Sequence, residues 1–178
     1  MKKKYLLGTS LLVTVAVVAL KARQTIPKGA IAVRPFNKEK YLGKWYEIAR
    51  FDYRFEENLN NVTATYSLND DGTIRVDNRG YDVEKNKWKE SIGKAKPGGD
   101  PDEAKLKVSF FGPFYAPYNV IAIDDDYKYA LVAGKNLDYL WLLSREKTMP
   151  ENIKVDYIKK AQQLGYKTEK LVWVEHDR

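Results

Sequence analysis

From residue 43 onward the chain alternates apolar and polar residues in short runs separated by turn residues. Period-2 alternation marks β-strands with one face buried. Eight such runs follow one another, over 44–52, 62–68, 73–81, 88–95, 104–110, 118–124, 127–133 and 139–145. In the second, Val62, Ala64, Tyr66 and Leu68 alternate with Thr63, Thr65 and Ser67. In the third, Ile74, Val76 and Asn78 alternate with Arg75, Asp77 and Arg79. In the fifth, Leu106, Val108 and Phe110 alternate with Lys105, Lys107 and Ser109. Asn69-Asp70-Asp71-Gly72 is a hairpin turn signal, and Pro97-Gly98-Gly99-Asp100-Pro101 marks a longer connection. Regular spacing and short connections predict an all-β fold: an eight-stranded antiparallel up-and-down barrel, closed so that no strand edge is exposed.

One helix is predicted after the strands. Thr148 and Glu151 have capping-box spacing, Pro150 falls in the first turn and Gly165 supplies the stop. Ile153, Tyr157, Ile158, Ala161 and Leu164 recur at helical spacing and form one apolar stripe. The run 139–143 is apolar on both faces, so one face can look into the barrel while the other lies beneath this helix on the outside. Residues 171–174 add a short closing strand.

At the other end, Lys2, Lys3 and Lys4 precede an uncharged, mostly apolar run over 5–20. This is the pattern of a secretion signal or an uncleaved N-terminal membrane anchor. As a helix it spans roughly 24 Å, less than the ~30 Å hydrocarbon core, and both outcomes stay open. The domain plan is therefore a signal or anchor over 1–20, a linker over 21–42 and the barrel with its helix and closing strand over 43–178.

Strand parity assigns an inner wall. Ala49, Ala64, Gly93, Ala95 and Ala133 are small residues on it, and small residues lining an eight-stranded barrel leave space inside. Glu47, Tyr66, Asn78, Tyr129 and Tyr139 scatter a few polar groups over an otherwise apolar lining, which suits a hydrocarbon body with a polar head. The candidate ligand contacts are Phe51, Ala64, Tyr66, Asn78, Phe110, Phe114, Tyr118, Tyr129, Tyr139 and Trp141. The odd-numbered connections share one end and hold Tyr53, Arg54, Phe55 and the uncharged run 111–117. Such a run lines a ligand path, touches a membrane or partner, or folds inward as a plug.

Composition narrows the chemistry. The net charge is +7, but Lys2 to Lys4 supply +3 of it, and the other lysines interleave with acids. No dense basic stripe with stacking aromatics emerges, so nucleic acid is not an expected partner. There is no cysteine, which removes thiolate catalysis, thiolate metal ligands and disulfides. The single histidine, His176, is the third residue from the end of the sequence, a poor place for a general base. Asp124-Asp125-Asp126 lacks the alternating ligand positions of a calcium loop. No enzyme, metal or cofactor is expected.

Gly43-Lys44-Trp45-Tyr46-Glu47-Ile48-Ala49-Arg50 carries a Gly-x-Trp motif. Asp125-Asp126-Tyr127 and Arg145, after Leu140-Trp141-Leu142-Leu143-Ser144, follow in order. Together these resemble the three signatures of the lipocalin family, in the version of bacterial outer-membrane lipocalins and apolipoprotein D. The resemblance covers about 31–175. It implies a lipocalin barrel in which Gly43, Trp45, Asp126, Tyr127 and Arg145 are structural, Arg145 stacks across Trp45 at the closed end, and Trp141 lines the pocket. It further implies binding of a fatty acid or lysophospholipid by a monomer or weak dimer, with export to the cell envelope (periplasm or outer membrane). A lipocalin-type enzyme acting on a lipid or polyene, or a membrane-surface interaction module, are the alternatives. One departure stands out: the lipobox cysteine usual near residue 20 is absent, since Leu20-Lys21-Ala22 stands there, so lipidation through cysteine does not carry over and any tether is the N-terminal helix.

Overall fold

The computed structural model describes residues 24–51 and 57–178; the predicted signal segment and the Tyr53-Arg54-Phe55 part of the rim lie outside the described residues. The strands are β1 (Gly43–Phe51), β2 (Leu59–Leu68), β3 (Ile74–Asp82), β4 (Lys87–Pro97), β5 (Lys105–Phe111), β6 (Phe114–Ile123), β7 (Tyr129–Ala133), β8 (Leu140–Ser144) and a short β9 (Leu171–Trp173). Each of β1 to β8 pairs antiparallel with its neighbours in sequence, and β1 pairs with both β2 and β8 to close the barrel; β9 adds to β1. Alternation works as expected where one face is wet: Tyr66, Ile74, Val76 and Val108 lie in the inner cluster.

Two hairpins explain how strand ends are set. Between β2 and β3, Gly72 takes φ of 78° and the Asp71 carboxylate accepts from the Thr73 amide, which tightens the turn. Between β5 and β6 the expected loop over 111–117 is instead strand: Leu106 pairs with Tyr118, Val108 with Ala116, and Phe111 with Phe114, leaving only Gly112-Pro113 as the turn. Aromatic residues favour extended backbone, and the ladder satisfies amides that a loop would leave to water. No inward plug forms there.

A helix α2 (Glu151–Gln163) covers one side of the barrel, following a one-turn helix α1 (Lys38–Tyr41) near the start. Its stripe packs on an outer cluster with Ile48, Ala49, Leu131, Ala133, Leu140 and Leu142. The predicted stop is present as a Schellman motif: Gly165 has φ of 93°, its amide bonds the Gln162 carbonyl and the Tyr166 amide reaches back to Ala161. The predicted Thr148 cap does not form. Pro150 is the N-cap residue and has no side-chain cap bond, while the Thr148 carbonyl accepts from the Ser144 hydroxyl. The chain between β8 and α2 is drawn into that bond, and the helix starts later.

The expected linker over 21–42 is in large part structural. The Val33 amide bonds the Val120 carbonyl, the Ala104 amide bonds Val33, and Phe36 and Tyr41 are buried in the inner cluster, stoppering one end. At this closed end Arg145 stacks over Trp45, with its Cζ 3.8 Å from the ring centroid, and donates to the carbonyls of Lys40, Leu42, Lys44 and Tyr127. Gly43 has φ of 95°, and a Cβ there would sit 3.3 Å from the Arg145 guanidinium. Gly-x-Trp is thus a geometric requirement: a left-handed turn beside an arginine, then the ring it covers. In the neighbouring turn Asp124 accepts from the Lys128 and Tyr129 amides, whereas Asp126 is exposed and pairs with Lys128. The turn is therefore organised by Asp124, and the structural part assigned to Asp126 is corrected.

Arg145→Lys keeps the charge but loses the fork of donors and the stacked plane. It should lower stability by about 2 to 4 kcal/mol, measured by urea unfolding.

Candidate functional site

The inside of the barrel changes character along its axis. At the closed end Trp45, Val76, Ala95, Val120, Ala130 and Val132 pack without accessible surface to speak of. Further from it Ala64, Phe110, Tyr118 and Trp141 pack against the same cluster and are only half-buried. The inner wall is thus closely packed at the floor and less so above it, and the partly accessible upper part is the candidate hollow.

The floor of that hollow is a set of phenols. Tyr66 donates to the Tyr118 hydroxyl at 2.9 Å, and the Tyr118 and Tyr41 hydroxyls lie 2.7 Å apart. Burial pushes the Tyr41 and Tyr118 pKa values well above the ordinary phenol, so both are neutral donors at any physiological pH. Above them Tyr118, Trp141 and Tyr139 form a stacked slab, with centroids 6.4 Å and 6.2 Å apart. Phe110 lies flat over Gly93, where a Cβ would come within 2.8 Å of its ring. On the opposite wall Asn78 stands between Ala64 and Ser91, and its buried Oδ1 has no hydrogen-bond partner among the described residues. An orphaned amide oxygen in a cavity wall calls for a donor from whatever fills the cavity.

One feature of the lining was not legible beforehand. A bulge between Glu47 and Ala49 changes the parity of β1, so Glu47 pairs across from Leu143 and Arg50 from Trp141, both on the inner side. Glu47 and Arg50 form a buried ion pair at 2.9 Å, and Arg50 also donates to the Leu59 carbonyl. Regular alternation gives no sign of a bulge; the one usable signal was two charges three residues apart in an otherwise apolar strand.

The structure brings Ala64, Tyr66, Asn78, Phe110, Tyr118, Tyr139 and Trp141 together on the inner wall. It excludes three others. Phe51 lies beyond the bulge, packs in the outer cluster and meets the Tyr166 ring edge-on, 5.7 Å away under α2. Tyr129 belongs to the same outer cluster, and its carbonyl accepts from the Tyr157 hydroxyl of the helix. Phe114 is 79% exposed at the hairpin tip and belongs to the rim. Ala49 and Ala133, also expected inside, are covered by α2.

His176 lies outside the barrel, donates from Nε2 to the Glu47 carbonyl at 2.8 Å and meets the Tyr46 ring edge-on. Among the described residues no cluster of His, Asp and Glu could hold a metal ion, and no helix is long and apolar enough to cross a membrane. A cleft of about 620 Å³ at the closed end, between Val33–Lys40 and Ile123–Tyr127, is open to solvent and mixed in charge.

The Lipocalin-like domain family matches residues 36–176. The chain belongs to the lipocalin family. It is 53% identical over 151 residues to the outer membrane lipoprotein Blc of Citrobacter freundii, covering 85% of each chain. It is also 35% identical over 132 residues to apolipoprotein D of Rattus norvegicus, covering 70% of this chain and 68% of the relative. Among solved structures, insecticyanin from the tobacco hornworm Manduca sexta is only 18% identical but superposes with a TM-score of 0.68, covering 84% of this chain and 85% of that one, which shows the lipocalin fold alone. The signature residues Trp45 and Arg145 occupy the closed end of this lipocalin and make no part of the hollow.

His176 supplies a titration that can be followed singly. Burial lowers its pKa, with Lys147 and Lys44 acting in the same sense; the bond to Glu47 and the Asp177 charge oppose this. A depressed histidine pKa means that the unfolded chain binds the proton more tightly, so stability falls as pH drops below about 6.5 and levels off below the folded-state value. His176→Gln should remove that part of the loss in urea unfolding compared at about pH 7 and pH 5.5, above the usual carboxylate range.

Proposed function

We propose that this lipocalin binds a lipid-like ligand, a fatty acid or lysophospholipid, in the upper half of its barrel and stores or carries it without transforming it. The observation that carries this is the gradient of burial along the inner wall: a packed floor, then half-buried Phe110, Tyr118 and Trp141. Ten buried methylenes contribute about 8 kcal/mol gross, comparable with the cost of immobilising a small ligand. Affinity and selectivity then rest on contacts to the head, for which neutral tyrosine hydroxyls and the Asn78 oxygen are the available partners. Binding without turnover is supported by the placement of His176 on the outside, bonded to the backbone. Export to the cell envelope is supported by relatives named outer membrane lipoproteins. This sequence has no cysteine to carry a thioether-linked lipid, so here the envelope location would not depend on one.

The test is displacement of a fluorescent fatty acid from the wild type and from Trp141→Ala. Removing the central ring of the aromatic slab should weaken binding about tenfold without changing the unfolding midpoint much. A wild type that neither takes up the probe nor co-purifies with acyl lipid would sink the proposal.

A second reading has its own observation. Phe111 and Phe114 are 72% and 79% exposed side by side at the rim, with Tyr115 held under Lys96 at 4.3 Å. Exposed rings beside cations suit an anionic bilayer surface. Co-sedimentation with anionic vesicles should fall on Phe111→Ser/Phe114→Ser while fatty-acid affinity stays; no sedimentation of the wild type leaves the rim to the ligand alone.

A further inference from the structure

The wall of the barrel is not bonded equally all the way round. β2 and β3 are laddered from Leu59 against Asp82 to Leu68 against Ile74, with one irregularity between Asn60 and Thr63. β1 and β2 pair only near the closed end, from Gly43 against Tyr66 to Tyr46 against Thr63. Beyond Tyr46, β1 turns to β9, pairing Ala49 with Trp173 and Phe51 with Leu171, and among the described residues no strand pairs with the open half of β2 on that side. The cause is local. Asn58 and Asn61 hold φ of 63° and 55°, a conformation asparagine tolerates better than most residues, and the irregularity bends β2 away from β1.

What fills this seam has an inner and an outer layer. Inside, Arg50 spans from Glu47 on its own strand to the Leu59 carbonyl at 3.2 Å. Outside, the tail over 174–178 is stitched across both strands. The Val174 amide bonds Ile48, and the Glu175 carbonyl accepts from the Asn61 amide at 2.7 Å. The Asn61 side chain donates to Asp177 and accepts from the Arg178 amide, and Asn60 exchanges two bonds with Glu175. Arg178 then lies over the Tyr81 ring at 4.2 Å. Among the described residues a single backbone bond joins the tail to β2. The tail's apolar packing among the described residues is a small cluster of Val174, Leu59 and Val62, apart from the two large ones, and on the β1 side the His176 ring meets Tyr46 edge-on and its Nε2 donates to the Glu47 carbonyl. Segments held by few backbone bonds and little buried apolar surface open first.

We propose that this seam is a side port: the tail over 174–178 is a strap that swings away, the open halves of β1 and β2 part, and an acyl ligand passes through the wall rather than only through the end. The proposal deepens the ligand-binding reading and rests on it. A long hydrocarbon leaving by the end must be drawn out along its whole length past the stacked slab, whereas a side port releases it broadside. The inner bar suits this, because Arg50 keeps Glu47 as its counter-charge when the Leu59 carbonyl turns to water.

The chain has no cysteine, so a two-cysteine clamp has no competing thiols. Asn60→Cys/Glu175→Cys, oxidised, should release anthroyloxy-stearic acid to phosphatidylcholine vesicles at least about tenfold more slowly than the same protein reduced, with equilibrium affinity unchanged. Equal rates in the two forms would overturn the port. Asn61→Gly keeps the left-handed backbone, loses the stitches to Asp177 and Arg178, and should speed release roughly fivefold; an unchanged rate counts against the strap. Hydrogen exchange on the wild type is the measurement independent of ligand. The Asn61 and Val174 amides should exchange ahead of the β2–β3 ladder, and equal protection would mean the seam stays shut and the proposal falls. Should the protein take up no probe, the carrier reading fails, and the exchange pattern alone decides whether the seam opens.

Discussion

The fold turns on a constraint placed on one strand: β1 must serve three neighbours. It pairs with β8 along most of its length, with β2 at the closed end and with β9 toward the open end. A strand with two edges can do this only by changing partner part-way, and the bulge after Glu47 is where it changes. From that one irregularity follow the outward turn of Ala49 and Phe51 beneath α2, the inward turn of Arg50, and the thin seam beside Leu59. Closure of the sheet removes most of the exposed edges that would invite association with other chains, and the tail over 174–178 lies across the open half of β2, where the β1–β2 ladder stops.

Closure would be of little use without a stopper. Phe36 and Tyr41 come from the segment before β1, and Arg145 ties that segment to Trp45 through carbonyls that would otherwise go unbonded at the barrel's base. The Glu47–Arg50 pair near the other end is a different kind of charge. A buried ion pair contributes little net stability, because desolvation offsets the attraction. Its contribution is to fix the position of a polar bridge across a wall that lacks ladder bonds.

How far the sequence foretold this follows from where alternation exists. In β2, β3 and β5 one face is wet, so parity placed Ala64, Tyr66, Asn78 and Phe110 correctly. In β7, Tyr129 to Ala133 are apolar on both faces because α2 covers the outside, so parity has nothing to read there and puts Tyr129 and Ala133 on the wrong side. In β1 the bulge shifted Phe51 and hid Arg50. The hairpin at Phe111–Phe114 looked like a loop because glycine and prolines punctuate it, although its aromatics favour strand. The closed end was legible from the resemblance in Gly43, Trp45 and Arg145, whereas Tyr41 and Phe36 were not, since a segment with two prolines and a glycine has the composition of a linker.

The orphaned Asn78 oxygen, the half-buried rings and the seam all lie above the floor, while the stacked arginine and the stopper lie below it. Mutation therefore meets two different tolerances in one small domain. Substitutions around Trp141 or Asn78 can retune what the barrel accepts at little cost to folding, whereas those around Trp45 threaten the chain's survival. A scaffold divided in this way can diverge freely in its upper lining, consistent with a barrel shared with insecticyanin at 18% identity.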